Sequence, residues 1–370
     1  MLCYYIFHTI LIINTSFKIK MPVFRLLKPA FISALVFTLP TMAVAQPKVV
    51  ASIKPVHSLV ASVMKGVAEP SLIVDGASSP HDFSLRPSQA KDLAAADVVF
   101  WIGPALETFL PKSLKTIASK AKNVALIESK GLVKFEFREG ATFEGHGDHG
   151  GHGGHDDHDK HDDHDKHDDH DKRDDHAKHD DHDKHDDHAK HDDHGHGSHA
   201  VDPHIFLDPV NAQKMVKTIE KTLSKADPEN AAKYAANAKA LRSELDHLTH
   251  ETEEELEALK DARFIVFHDA YRYFEERFGI EATGSITLNP ETSPGVSRIK
   301  EIRTTLDKTK VSCVFSEPQF PTKLVDTVIA DTKAKKETLD PLGATLEPGT
   351  GLYGKLITNM AASFKNCLGS

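Results

Sequence analysis

The stretch K-V-V-A-S-I-K-P-V-H-S-L-V-A-S-V-M, residues 48–64, decides the fold class. Its first six residues form an apolar run too short for a helix, and the segment from His57 to Met64 carries helical spacing. Lys54-Pro55 makes the turn between them. A strand feeding straight into a helix is the first half of a crossover unit, whose next strand lies parallel to the first. Working outward, S-L-I-V (71–74) reads as that next strand, followed by a Gly/Ser/Pro loop to Pro87. A helix over 88–95, the strand D-V-V-F-W-I (97–102), a helix over 106–120 and the strand V-A-L-I (124–127) continue the alternation.

The C-terminal part repeats it. R-F-I-V-F (263–267), a helix over 270–278, a loop from Thr287 to Gly295, a helix over 296–307, V-S-C-V-F (311–315), a helix over 321–330, K-E-T-L (336–339) and a last helix over 356–363 follow in order. Two α/β lobes with parallel sheets are therefore expected. Asp208-Pro209 and Asp227-Pro228 each pair an N-cap with a first-turn proline. The helix expected over 228–260 has no internal Gly or Pro. At 1.5 Å per residue it spans about 48 Å, the length of a strut between lobes. We divide the chain into residues 1–45, an N-terminal lobe of 46–145 and 200–227, a tract of 146–199, the linking helix 228–260 and a C-terminal lobe of 261–370.

The tract is a comb of metal donors. It holds His146, His149, His152, His155, His158, His161, His164, His167 and His170 at every third position; His176, His179, His182, His185, His188, His191, His194, His196 and His199 follow. Aspartates fill most of the gaps, so imidazole nitrogen alternates with carboxylate oxygen, the donors that zinc accepts. A period of three fits neither a helical face nor a strand, and nothing larger than alanine is available to bury. This composition predicts disorder without metal. An ordinary acidic linker has no need of histidine, so we expect a low-affinity zinc-collecting loop, with the defined site elsewhere.

Charge and leader set the compartment. Of the net −10, the tract carries −12, residues 1–45 carry four basic groups and no acid, and the rest is close to neutral. No basic stripe with interleaved aromatics is present, which argues against nucleic acid. Arg25 and Lys28, the apolar run from Ala30 to Leu39 and Ala43-Val44-Ala45 have the layout of a cleaved secretory signal, with Met21 as the expected start. Pro29 and Pro40 bracket too short a run for a membrane anchor. A periplasmic, monomeric protein is expected. Cys313 and Cys367 then form an even pair in an oxidising compartment, where a disulfide is the default and a thiolate metal ligand the alternative.

Ligand groups in parallel sheets gather beyond the carboxyl ends of strands. His81, His268, Glu317 and Asp340 all fall there, and His204 lies just downstream of the comb. Three histidines from two lobes converging on a cleft would suit zinc, whereas manganese prefers oxygen. His57 is a weaker candidate, read as a solvent-facing residue at a helix start. His247 and His250, one turn apart on the long helix, read as exposed.

The segments S-I-K-P-V-H-S-L-V, P-H-D-F-S-L-R-P-S (80–88), H-I-F-L-D-P, F-H-D-A-Y-R-Y-F-E (267–275), C-V-F-S-E-P-Q-F and T-L-D-P-L-G resemble the periplasmic zinc-binding proteins of ABC importers, over nearly all of 48–367. The resemblance implies two four-stranded (β/α)4 lobes flanking a rigid helix, with zinc bound by His81, His204 and His268 in the cleft. It also implies a Cys313–Cys367 disulfide, and an inner-membrane ABC permease with its ATPase as partners. Some members place a glutamate fourth ligand immediately before the first histidine, where this chain has Pro80. Water is then the first expectation for the fourth position and Asp340 the second, with Glu317 orienting an imidazole.

Two competing readings remain. Three histidines plus water also suit a secreted zinc hydrolase with Glu317 as general base, although no H-E-x-x-H helix is present; a periplasmic metal buffer without a transporter is the other. G-T-G-L-Y-G (349–354) matches a dinucleotide pattern, but too little chain follows it for the required unit, so it reads as a loop before the last helix.

Overall fold

A computed structural model describes residues 46–138, 140, 142–143 and 200–369. The expected leader and the histidine comb lie outside the described residues. In the first lobe, β1 (Val49–Ile53), α1 (Lys54–Met64), β2 (Ser71–Val74), α2 (Pro87–Ala94), β3 (Val98–Trp101), α3 (Leu110–Thr116) and β4 (Lys122–Ala125) alternate. After α4 (Pro209–Ala226) and α5 (Ala231–Leu256), the second lobe has β5 (Phe264–His268), α6 (Arg272–Phe278), β6 (Gly284–Thr287), α7 (Val296–Thr309), β7 (Cys313–Ser316), α8 (Lys323–Ile329), β8 (Lys335–Thr338) and α9 (Leu352–Leu368). The sheets are ordered β2-β1-β3-β4 and β6-β5-β7-β8, parallel throughout. The shared order makes each lobe a copy of the other's topology, with its switch point between the two central strands.

Burial explains why the strands read as continuous apolar runs. Along β5, Phe264 and Val266 face the main core, while Ile265 and Phe267 face a second cluster with Ile286, Ile302, Leu306, Val314 and Val325. A parallel strand covered on both faces has no polar side. The main core runs from β1 through α4 and α5 to α9, and α5 packs against both α1 and α9. Cys313 on β7 and Cys367 on α9 form a disulfide, with Cα atoms 6.0 Å apart.

The elements differ from the sequence reading in several places: Lys54-Pro55, expected as a turn, opens α1, and the fourth strand lies at Lys122–Ala125, with Leu126–Glu128 in a 3-10 turn. The strand β6 was not expected, because G-S-I-T has a single large apolar residue and takes its strand character from pairing with β5. The helix α3 starts at Leu110 instead of residue 106, since Gly103, at φ 158°, and the turn to Phe109 come first. The long helix is closed at its ends by the short 3-10 turns Pro228–Asn230 and Glu257–Leu259. The last helix begins at Leu352, so three residues of the G-T-G-L-Y-G segment are helical; Tyr353 is buried and donates to the Phe206 carbonyl at 2.7 Å.

Three polar clamps join the lobes. Buried Lys54, opening α1, donates to the carbonyls of Gly343 (3.2 Å), Ala344 (3.0 Å) and Leu346 (2.9 Å) and pairs with Asp75 at 3.0 Å. Asp208 caps α4 through Val210 N–H and accepts both arms of Arg277 from α6 at 2.8 Å. Arg138 reaches Asp269 through Nε (2.9 Å) and Glu275 through Nη1 (2.8 Å), and lies 3.8 Å over the Phe143 ring. Phe143 N–H then donates to the Thr283 carbonyl and Thr142 bridges Gly284, so both residues lie against the second lobe.

Candidate metal centre

The three clamps hold the lobes around a narrow cleft lined by His81, His204 and His268. Each side chain arrives by a different route. His268 is the last residue of β5, at the switch point, where Glu317 directly follows the next central strand, β7. His81 lies seven residues beyond β2, in a loop pinned by His81 N–H to Ser79 Oγ (3.2 Å) and Thr108 Oγ1 to the His81 carbonyl (2.8 Å). His204 follows Pro203 and precedes the turn Ile205–Leu207, whose side chains are buried in the core, and is itself buried.

One nitrogen from each ring lies within 4.8 Å of the others. The ring centroids are 5.5 Å (His81 to His204), 5.9 Å (His81 to His268) and 5.3 Å (His204 to His268) apart. Two rings are locked from behind: His204 Nδ1 lies 2.7 Å from Asp202 Oδ1, and His268 Nδ1 lies 2.7 Å from Glu317 Oε1. A carboxylate can only accept, so each Nδ1 carries the hydrogen and each Nε2 keeps a lone pair. That is the tautomer a divalent ion requires, and the carboxylate raises the basicity of the ligating nitrogen.

Electrostatics divides the three. Burial, then the neighbouring His204 and His268, drives the His81 pKa down to about 2. His268 is the reverse: burial opposes its charged form, but Glu317 outweighs burial and the pKa is raised. Grouped neutral imidazoles with softly polarised lone pairs and no carboxylate among them match zinc better than oxygen-seeking ions.

The other sequence candidates fall elsewhere. His57 is not solvent-facing: it is buried within α1, with Nε2 at 3.0 Å from the Pro70 carbonyl, and burial lowers its pKa. His247 and His250 are exposed on α5. The Asp340 carboxylate is occupied by Leu342 N–H (3.2 Å), Ala344 N–H (2.6 Å) and Gln319 Nε2 (3.2 Å), shaping the loop that receives Lys54. Asp202, Lys54 and Gln319 were not singled out from sequence. A signal for Asp202 existed in D-P-H, because an aspartate two residues before a histidine can bond both its backbone and its ring, as here at 2.9 and 2.7 Å.

Residues 49–367 match the family described as "Zinc-uptake complex component A periplasmic", ZnuA. The chain belongs to the ZnuA family. It is 54% identical over 320 residues to the high-affinity zinc uptake system protein ZnuA of Brucella abortus (strain 2308), covering 86% of this chain and 91% of that protein. The ZnuA of Paracoccus denitrificans (strain Pd 1222) is 37% identical over 325 residues, covering 88% and 92%. Among solved structures, a crystal structure of ZnuA superposes with a TM-score of 0.65 at 23% identity, covering 88% of this chain and all of that one. A zinc-bound ZnuA carrying a 138–173 deletion gives 0.62 at 22% identity, covering 88% and 98%. These two likenesses establish the shared two-lobed fold.

Proposed function

We propose that the protein captures zinc between its lobes through Nε2 of His204, Nε2 of His268 and one ring nitrogen of His81, and delivers it to an inner-membrane ABC permease and its ATPase. The observation that carries this reading is the trio of imidazole nitrogens within 4.8 Å, two of them set in the ligating tautomer by carboxylates. Membership of a zinc-uptake family and the zinc-bound relative support the ion's identity. Among the described residues no helix is long and apolar enough to cross a membrane. We take residues 1–45 as a cleaved leader and the mature chain as a periplasmic monomer.

Transport suits the site better than hydrolysis. A general base needs a carboxylate free to take a proton from water. Glu317 Oε1 is instead held by His268 Nδ1 and by His268 N–H at 3.3 Å, and the buried Tyr271 hydroxyl sits against the same carboxylate, which turns it toward His268 and Tyr271 and away from a water in the cleft. The comb from His146 to His199 would collect zinc at roughly micromolar affinity and the cleft would hold it nearer nanomolar, a difference of about 4 kcal/mol favouring inward transfer.

Zinc titration of the mature chain lacking residues 146–199, in competition with a chelator of known affinity, tests the assignment. One tight site that disappears in His81→Ala is expected. Absence of a tight site would mean that the comb supplies ligands and would overturn the three-histidine centre. Zinc uptake by cells carrying the protein with and without the permease separates delivery from simple buffering.

A further inference from the structure

Two loops from opposite lobes meet at the rim of the cleft. β2 and β6 hold the same outer place in their sheets, and the loops that leave them carry Ser79 and Glu291. Ser79 is half-buried and lines the cleft, whereas Glu291 is exposed. Ser79 Oγ donates to Glu291 Oε1 at 2.8 Å. With its one hydrogen committed across the rim, the hydroxyl turns a lone pair to His81 N–H, which donates to it at 3.2 Å. A contact between the lobes is therefore a single residue away from the backbone of a metal-site histidine.

His81 depends on such contacts more than its two neighbours do. His204 and His268 are each held at the ring by a carboxylate, whereas among the described residues His81 is held through its backbone, by Ser79 at N–H and by Thr108 at the carbonyl. The Thr108 side is anchored inside the first lobe, where buried Glu107 accepts Ile102 N–H and Gly103 N–H at 3.0 Å each. The Ser79 side is anchored in the other lobe. Its anchoring loop starts from Thr287, the register partner of His268. Thr287 Oγ1 donates to the Asn289 carbonyl at 2.6 Å and Glu291 N–H to Asn289 Oδ1 at 3.0 Å, a tight turn that aims Glu291 at Ser79. Beneath it lies a hollow lined by Phe267, Phe320 and Leu324, and Leu288 is exposed. A loop with so little apolar packing under it can lift as a unit.

We infer that Ser79 and Glu291 form a latch across the rim of the cleft. Seated, it places His81 opposite His268; released, it frees His81 and lets the ion leave. The inference rests on the three-histidine reading. It makes Ser79 and Glu291 positioning residues that act on zinc dissociation more than on association, because the bond forms after the ion has entered and must break before it departs.

Full-length mature protein and its Ser79→Ala, Ser79→Thr, Glu291→Ala, doubly substituted Ser79→Ala/Glu291→Ala and His81→Ala variants would be loaded with one equivalent of Zn²⁺ and mixed with excess chelator in a stopped-flow instrument. Association rates, Co²⁺ spectra and the thermal midpoint of each metal-free form complete the set. Glu291→Ala should release zinc about tenfold faster, the size expected for one hydrogen bond to a charged group, with association and the thermal midpoint unchanged. Ser79→Ala should release it faster still and alter the Co²⁺ spectrum, because His81 N–H loses its acceptor as well, and Ser79→Thr should restore most of the parent rate. The double variant should match Ser79→Ala alone, since both substitutions break one bond. Parent-like release in Glu291→Ala would overturn the latch while leaving the histidine centre standing. So would rate effects of the two single variants that simply add, or a lowered thermal midpoint in place of faster release. Tight cleft binding that survives in His81→Ala would instead remove the three-histidine reading, and the inference with it.

Discussion

His268 donates its Nδ1 hydrogen to Glu317 Oε1 at 2.7 Å, across the switch point between the two central strands of the second lobe. The bond selects the tautomer, sets the ring plane and makes Nε2 a better donor to a metal. Glu317→Ala should therefore weaken zinc binding by about 10-fold to 100-fold although Glu317 itself is no ligand. Glu317→Gln, which still offers an acceptor oxygen, should lose less. Chelator competition at pH 7.5 measures both.

Zinc affinity should fall steeply as pH drops from 7.5 to 5.5, and His268 should lead the loss. Its pKa in the metal-free fold is raised by Glu317, so its contribution to stability is fully present below about 6.5 and fades as pH rises through the higher folded value. Acid thus favours the protonated, metal-free form at this residue. His81 has the opposite sign: with a folded pKa of about 2, its contribution is present above about 6.5 and declines as pH falls. It stays neutral and available throughout the zinc-release range. Glu317→Ala should move the inflection of the affinity profile to lower pH; a flat profile in the parent protein would argue against histidine ligation.

Arg138→Met should be among the most damaging substitutions outside the cleft. It leaves Asp269 and Glu275 buried without their cation, a situation that costs about 3–5 kcal/mol. Denaturant unfolding of the metal-free protein gives the value. Because Asp269 follows His268 directly, a weaker zinc site should accompany the lost stability.

Lys54→Met removes the donor shared by the carbonyls of Gly343, Ala344 and Leu346. Carbonyls left short of a donor cost about 1–3 kcal/mol where water does not replace it. Pro341 and Leu342, just before them, line the cleft, so loosening this loop should speed zinc dissociation more than it slows association. Stopped-flow release into excess chelator separates the two rates.

Much of the architecture was legible in the chain. Doubly covered parallel strands read as apolar runs such as F-I-V-F, which puts His268 at the end of one run, Glu317 just after another and His81 in the loop beyond a third. The resemblance implied the same three histidines and the cysteine pair. The strand β6 escaped because G-S-I-T owes its conformation to pairing with β5. His57 was misread because a helix start usually meets solvent, while here the Pro70 carbonyl caps its ring inside the lobe.

Sequence alone determined the two α/β repeats, the donor chemistry of the histidine comb and the residue types available to the metal, because these follow from local periodicity and side-chain identity. Only the tertiary structure decided which nitrogen faces which carboxylate, that Asp340 serves the Lys54 loop and Gln319, and that Arg138 and Lys54 tie the lobes together. Those contacts join residues as far apart as Lys54 and Leu346. No local pattern encodes such pairs, since they exist only once two independently wound sheets have packed across one cleft.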